Sequence, residues 1–190
     1  MIRNIVLTYA KDRLQYDDLR LGLLDHGMDI LENDGTNYLC VFLIGILFKD
    51  PAASAVFIIS FSLLRYFTGG WHAKTRLMCF LCYQSMFIFS FIVYRFFQTD
   101  TVNLILYLLM SIRTMIHSPV IHHLNPLSHE EIMYNQKMTK KSAVFLICVY
   151  LILYHVRSPY CMMLFMTMTL NTVCMTALHN SPERNNVYEN

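Results

Sequence analysis

The sequence predicts an all-α fold, a polytopic membrane helix bundle preceded by amphipathic helices. Three observations carry that expectation. Hydrophobic residues make up 55% of the 190 and charged residues only 15%, against about 25% charged in an ordinary soluble domain. About six apolar segments follow one another, separated by short polar breaks. The basic residues are shared very unevenly among those breaks. The length suits one domain, spanning 1–190, with an amphipathic cytoplasmic or interfacial region at 1–37, a membrane bundle at 38–178 and a polar tail at 179–190. The net charge of +2 is too small to call for a nucleic-acid partner.

Residues 1–37 are polar and amphipathic. Residues 1–7 hold no apolar run long enough for a cleaved signal peptide, so insertion is expected to rest on the internal segments. Leu14, Leu19, Leu23, Leu24, Met28 and Leu31 recur at helical spacing, which fits one or two helices on the membrane surface or against a partner. Glu32-Asn33-Asp34-Gly35-Thr36-Asn37 reads as a stop and turn. The first apolar segment is then Tyr38–Phe48. Lys49-Asp50-Pro51 breaks the run, and the second segment is Ala52–Leu64. Both are short for a hydrocarbon core that takes about 20 helical residues. They are expected either to dip as a re-entrant hairpin or to be covered by a partner, a second copy of the chain being the simplest. The remaining segments are Leu77–Phe97, Thr101–Ile116, Ala143–Val156 and Pro159–Leu178.

Six crossings with the N-terminus inside place 12 of the 15 Lys and Arg residues on the cytoplasmic side, counting Arg113 one turn short of the boundary. Lys49, Arg95 and Arg157 remain outside. This is the asymmetry of the positive-inside rule. It places the break between the second and third segments in the reducing cytoplasm, where a free thiol persists.

That break, Gly69-Gly70-Trp71-His72-Ala73-Lys74-Thr75-Arg76-Leu77-Met78-Cys79, joins an imidazole, two cations and a thiol. A free cysteine is mostly protonated at neutral pH. An imidazole can take its proton, and Lys74 and Arg76 favour the anion. On a straight helix seven residues rise about 10.5 Å, too far for a hydrogen bond. Catalysis therefore requires a bend after Gly69-Gly70, a helix starting just before Cys79, and His72 folded back towards the sulfur. A surface histidine and a core cysteine are the plain alternative.

Cys79 and Cys82 form a C-x2-C pair, and His117, His122, His123 and His129 crowd one break. Zinc wants four such ligands in a closed site, whereas Cys82 lies a turn inside an apolar helix and no second pair exists. No metal is expected, and with no phosphate-binding loop no cofactor is expected either. The other cysteines read as buried apolar residues. Residues 117–128 hold two prolines and read as an ordered loop. Ser128 and Glu131 form a capping box opening a cytoplasmic helix that ends in Lys137-Met138-Thr139-Lys140-Lys141. These lysines suit topology and anionic lipid better than substrate. The methionines of the sixth segment read as bundle core, and Asn171 as an interhelical hydrogen bond.

Two stretches resemble the accessory gene regulator protein B family (AgrB). One is Leu64-Arg65-Tyr66-Phe67-Thr68-Gly69-Gly70-Trp71-His72-Ala73 with Cys79 seven residues after the histidine. The other is Ser118-Pro119-Val120 with Asn125-Pro126-Leu127-Ser128 and a basic helix behind it. The likeness runs along essentially the whole chain. It implies a multi-pass cysteine endopeptidase of a Gram-positive cell membrane that cuts the C-terminal part from a quorum-sensing precursor peptide, with His72 and Cys79 as the catalytic pair. Some members carry a serine before the cysteine, where this chain has Met78. The expected partners are the precursor signal peptide, the lipid bilayer and a second copy. Lys74, Arg76, Asn125, Lys137, Lys140 and Lys141 are candidates for holding substrate, and Asn125 for orienting His72. The other readings are a small-peptide transporter or exporter, which would leave the peptide's mass unchanged, and an adaptor that scaffolds a membrane sensor kinase.

Overall fold

In the computed structural model, residues 2–69, 75–98, 100–120 and 128–179 are described. Seven α-helices lie among them: α1 Ile2–Asp12, α2 Asp18–Leu47, α3 Pro51–Thr68, α4 Arg76–Phe96, α5 Thr101–His117, α6 His129–His155 and α7 Tyr160–His179. The chain falls into two compact units, Met1–Cys40 and Val41–Asn190.

In the first unit, α1 leads into a short turn. There Asp17 accepts a hydrogen bond from the Arg20 N–H at 2.9 Å, and the Arg20 guanidinium lies over the Tyr16 ring. The stop expected at residues 32–37 is absent, because α2 runs through it without a break. The Thr36 hydroxyl donates back to the Glu32 carbonyl at 2.7 Å, and Asn33 donates to the Asp34 carboxylate. The polar side chains are thus satisfied without leaving the helix. One internal glycine costs only about 1 kcal/mol, too little to stop a helix that continues on both sides. The first apolar segment is therefore the C-terminal part of a 30-residue helix.

The second unit is a helical bundle whose interior mixes apolar and polar residues and whose outer surface is apolar. Its buried positions include Ser54, Ser60, Thr68, Ser90, Ser111, Thr114, Thr139, Ser142, Thr167 and Asn171, while Ile59, Leu77, Leu81, Phe89, Ile105, Leu109, Phe145 and Ile152 are more than half exposed. Small and polar residues between helices, with apolar ones outside, are the pattern of a bundle in lipid. Four helices are long and apolar enough to cross a membrane (α3, α4, α6 and α7), and α5 is a shorter apolar one. This fits a multi-pass membrane protein. Helix α7 packs against α3, α4, α5 and α6. The Met-rich stretch forms core as expected, with Met163 and Met168 fully buried. Tyr107 of α5 stacks on Tyr150 of α6 at 3.9 Å between ring centroids.

Two polar clusters fix the helix directions. At one end Asp50 caps α3, accepting the Ala53 N–H at 3.1 Å, with Pro51 in the first turn. The Tyr94 hydroxyl donates to the same carboxylate at 2.7 Å, and that of Tyr160 lies 3.4 Å from it. The start of α3, the end of α4 and the start of α7 therefore meet there. At the other end the Thr68 hydroxyl lies 3.1 Å from the Asn171 side-chain oxygen. Ser118 bonds Thr139 at 2.8 Å, and Arg113 donates to the Thr176 hydroxyl at 3.1 Å. Helices α3, α5 and α7 thus run one way, and α4 and α6 the other. Such bonds average only about 0.6 kcal/mol each in membranes, so they set register more than stability.

Two further expectations are corrected. The second apolar segment is not a short dip, because α3 has 18 residues and joins the two polar ends. Nor does the helix opened by Ser128 stop at Lys141. The capping box is present, but α6 continues for 27 residues into the fifth apolar segment. Nothing between Lys141 and Ala143 breaks a helix, and buried Thr139, Ser142 and Ala143 already face the bundle.

Gly69 closes α3 with φ at 66°, a conformation that strains side-chain-bearing residues. A Cβ there would stand 2.6 Å from the Val120 carbonyl oxygen. Gly69→Ala is expected to destabilise the detergent-solubilised chain by about 1–3 kcal/mol, or roughly 2–4 °C in Tm per kcal/mol. Gly22→Ala, where a Cβ meets open space, should leave Tm unchanged or raise it. Asp50→Ala strands the Tyr94 hydroxyl and a helix N–H, and should cost about 1–3 kcal/mol in the same thermal melts.

Candidate active site

The site is built on the end of α3 and the start of α4. The α3 end is held from three directions. The Val120 N–H donates to the Thr68 carbonyl at 2.9 Å, and Gly69 and Val120 form a short parallel bridge. The Arg65 guanidinium donates to the Gly69 carbonyl at 2.6 Å. The Thr68 hydroxyl shares its single proton between that carbonyl, at 3.2 Å, and Asn171 of α7. These contacts fix where the chain leaves α3.

His72 and Lys74 lie in the stretch 70–74, outside the described residues, and so does Asn125. The chain is described again from Thr75, the N-cap of α4, whose hydroxyl accepts the Met78 N–H at 3.2 Å. The Cys79 N–H donates to the Thr75 carbonyl at 3.0 Å. Cys79 therefore sits in the first turn of α4, half-buried. This is the helix start that catalysis was expected to require. The positive end of a helix dipole favours an anion in its first turn.

Sequence reasoning counted Arg65 only towards topology. In the structure its guanidinium lies within electrostatic range of two thiols, Cys79 of α4 and Cys174 of α7. Cys82 lies in turn within range of Cys174. Arg65 of α3, Cys79 and Cys82 of α4 and Cys174 of α7 are thus linked by electrostatic range rather than by direct contact. The signal available in the sequence was a charged residue inside an otherwise apolar helix, which marks function by default. Its pairing with Cys79 depends on helix packing and could not be read from spacing.

The other candidates stand apart from one another. Arg76 is exposed at the first position of α4. Lys137, Lys140 and Lys141 are exposed on α6 around buried Thr139, and none of the three makes a hydrogen bond or ion pair with a described residue.

Three comparisons bear on what the chain is. A family model described as "AgrB: Accessory gene regulator B" matches residues 3–177. A Clostridium perfringens (strain SM101 / Type A) protein named "Putative AgrB-like protein" is 29% identical over 84 residues, covering 43% of this chain and 39% of that protein. The match thus spans about two fifths of the relative's length. No solved structure matches the chain. Because the family model covers nearly all of the chain, from the polar N-terminal region to the end of α7, the chain belongs to the Accessory gene regulator B family.

Proposed function

We propose that this chain is an integral-membrane cysteine endopeptidase that removes the C-terminal part of a quorum-sensing precursor peptide, with Cys79 as nucleophile and His72 as its acid and base. The observation that carries the reading is the setting of Cys79. It lies in the first turn of α4, half-buried, with the Arg65 guanidinium in electrostatic range. A thiolate formed there meets a helix dipole and a cation in a place of low dielectric.

The cycle runs in two halves. His72 takes the proton of the Cys79 Sγ, and the thiolate attacks a peptide carbonyl carbon. The first-turn N–H groups of α4 are suited to receive the oxyanion. The C–N bond then breaks, His72 returns the proton to the leaving amine, and the C-terminal fragment departs. The N-terminal part of the precursor remains on Cys79 as a thioester. A thiol or hydroxyl of the same peptide attacks this thioester, closing a thiolactone or lactone ring and freeing Cys79. Exchanging one thioester for another needs no nucleotide. Exclusion of water from the acyl-enzyme decides between ring closure and hydrolysis, and a site at the bilayer edge favours the ring. The gathering of basic residues at this end of the bundle supports a cytoplasmic site.

Co-expression with a tagged precursor tests the reading by mass spectrometry. Cys79→Ala should abolish cleavage, and His72→Ala should slow it by about 10²–10⁴-fold. Cys82→Ala should cleave normally. Cleavage by Cys79→Ala would sink the proposal, and export of peptide at unchanged mass would favour a transporter. A second test reads the charge beside the thiol. In a chain whose only cysteine is Cys79, Arg65→Gln should slow iodoacetamide alkylation about tenfold, with Arg65→Lys closer to the parent. Equal rates in all three would remove Arg65 from the site.

A further inference from the structure

Helix α7 has a second polar face. Thr172 and Thr176 are two residues from Cys174 on either side, about 200° around the helix, so they face away from the thiols. There, against the end of α5, lies a cavity of about 60 Å³ lined by Arg113, Thr114, His117, Thr172, Met175 and Thr176, with Val120 at its edge. We propose that this cavity binds the phosphate of an anionic phospholipid, whose acyl chain lies along the apolar surface beside it.

The argument starts from Arg113. It is exposed, one turn before the end of α5, and its guanidinium donates one hydrogen bond, to the Thr176 hydroxyl at 3.1 Å. Neither α5 nor α7 contains an Asp or Glu, and among the described residues no carboxylate pairs with Arg113. Its charge stands among apolar residues with only a neutral hydroxyl as partner, a setting that favours an anion beside it. A planar guanidinium also matches the two oxygens of a phosphate better than any other side chain does.

The surrounding hydroxyls position the arginine rather than the ligand. Thr172 donates to the Met168 carbonyl at 2.9 Å and Thr176 to the Thr172 carbonyl at 2.8 Å. Their protons are committed, and Thr176 offers Arg113 a lone pair. The His117 Nδ1 donates to the Arg113 carbonyl at 3.1 Å, which sets the ring beside the cavity. The site therefore presents one forked cation on a built support, sized for a single phosphate group.

What lies next to the cavity selects a lipid over a soluble anion. Leu109 and Ile116, one turn either side of Arg113, are 57% and 65% exposed, and Val173, one turn before Thr176, is 56% exposed. Free phosphate gains nothing from that stripe, whereas an acyl chain covers it. Lys137, Lys140 and Lys141 are exposed on α6, which packs against α5. They raise the positive potential at this end, favouring a net anionic headgroup over a zwitterionic one.

Native mass spectrometry of the full chain in detergent tests this with phosphatidylglycerol, phosphatidylcholine and inorganic phosphate as probes. One phosphatidylglycerol should bind at least tenfold more tightly than phosphatidylcholine, and millimolar phosphate should not displace it. Arg113→Gln should weaken it about tenfold, or roughly 1.4 kcal/mol. Arg95→Gln, at the opposite end of the bundle, should not. Thr176→Val removes the contact that holds the guanidinium and should weaken binding even if Arg113→Gln fails to fold. The proposal is overturned by unchanged binding in the folded variants, by equal binding of phosphatidylcholine, or by displacement with phosphate or with a short acidic peptide. The last would make the cavity a peptide-carboxylate site.

Discussion

Helix α3 is held by polar contacts at both ends, and the rest of the bundle takes its direction from it. A bilayer supplies no hydrophobic force to bring helices together, so close packing and polar contacts decide which neighbours meet and in what register. Asp50 draws Tyr94 and Tyr160 to one end. Thr68 and Gly69 meet Asn171 and Val120 at the other. The 18 residues between them rise about 27 Å, close to the thickness of a hydrocarbon core. With α3 stretched across that distance, the chain breaks after α3 and after α5 fall on the same face. The bond from the Val120 N–H to the Thr68 carbonyl joins these two breaks, which lie some fifty residues apart in the chain.

The elements legible in the sequence are those whose limits are written locally. Thr75 and Asp100 cap α4 and α5, and the apolar runs behind them locate both helices to within a residue at either end. The capping box of Ser128 and Glu131 was legible for the same reason. Two limits were misread because polar composition is weak evidence against a helix. Glu32–Asn37 looks like a turn until Thr36 bonds back to Glu32. Lys137–Lys141 looks like a helix end until Thr139 is seen to bond Ser118, which closes the preceding helix α5. The candidate site divides in the same way. Cys79 near a helix start follows from Thr75 and the apolar run after it. Arg65 beside Cys79 does not, since that proximity exists only when α3, α4 and α7 are packed together.

The placement of Cys79 also resolves the constraint that spacing imposed. A continuous helix from His72 to Cys79 would have kept their side chains apart by its rise alone. Thr75, the N-cap of α4, is extended, so α4 does not run back from Cys79 as one continuous helix past Thr75. Cys79, the proposed nucleophile, is on a rigid element, as precise geometry requires.

Helices α3, α4, α5 and α7 contain no Asp or Glu at all, yet α3 and α5 each carry an arginine, besides Arg76 at the first position of α4, close to the same end of the bundle. Each is steadied by a neutral acceptor, Arg65 by the Gly69 carbonyl and Arg113 by the Thr176 hydroxyl. A neutral acceptor orients a guanidinium but does not cancel its charge, and Arg113 pairs with no carboxylate among the described residues. On the α4 side of α7 the Arg65 guanidinium lies within electrostatic range of Cys79, the thiol of the proposed chemistry, and of Cys174. On the α5 side Arg113 lines the cavity proposed to take a lipid phosphate. An acidic residue introduced into either face would quench the cation there while leaving the fold's polar contacts in place.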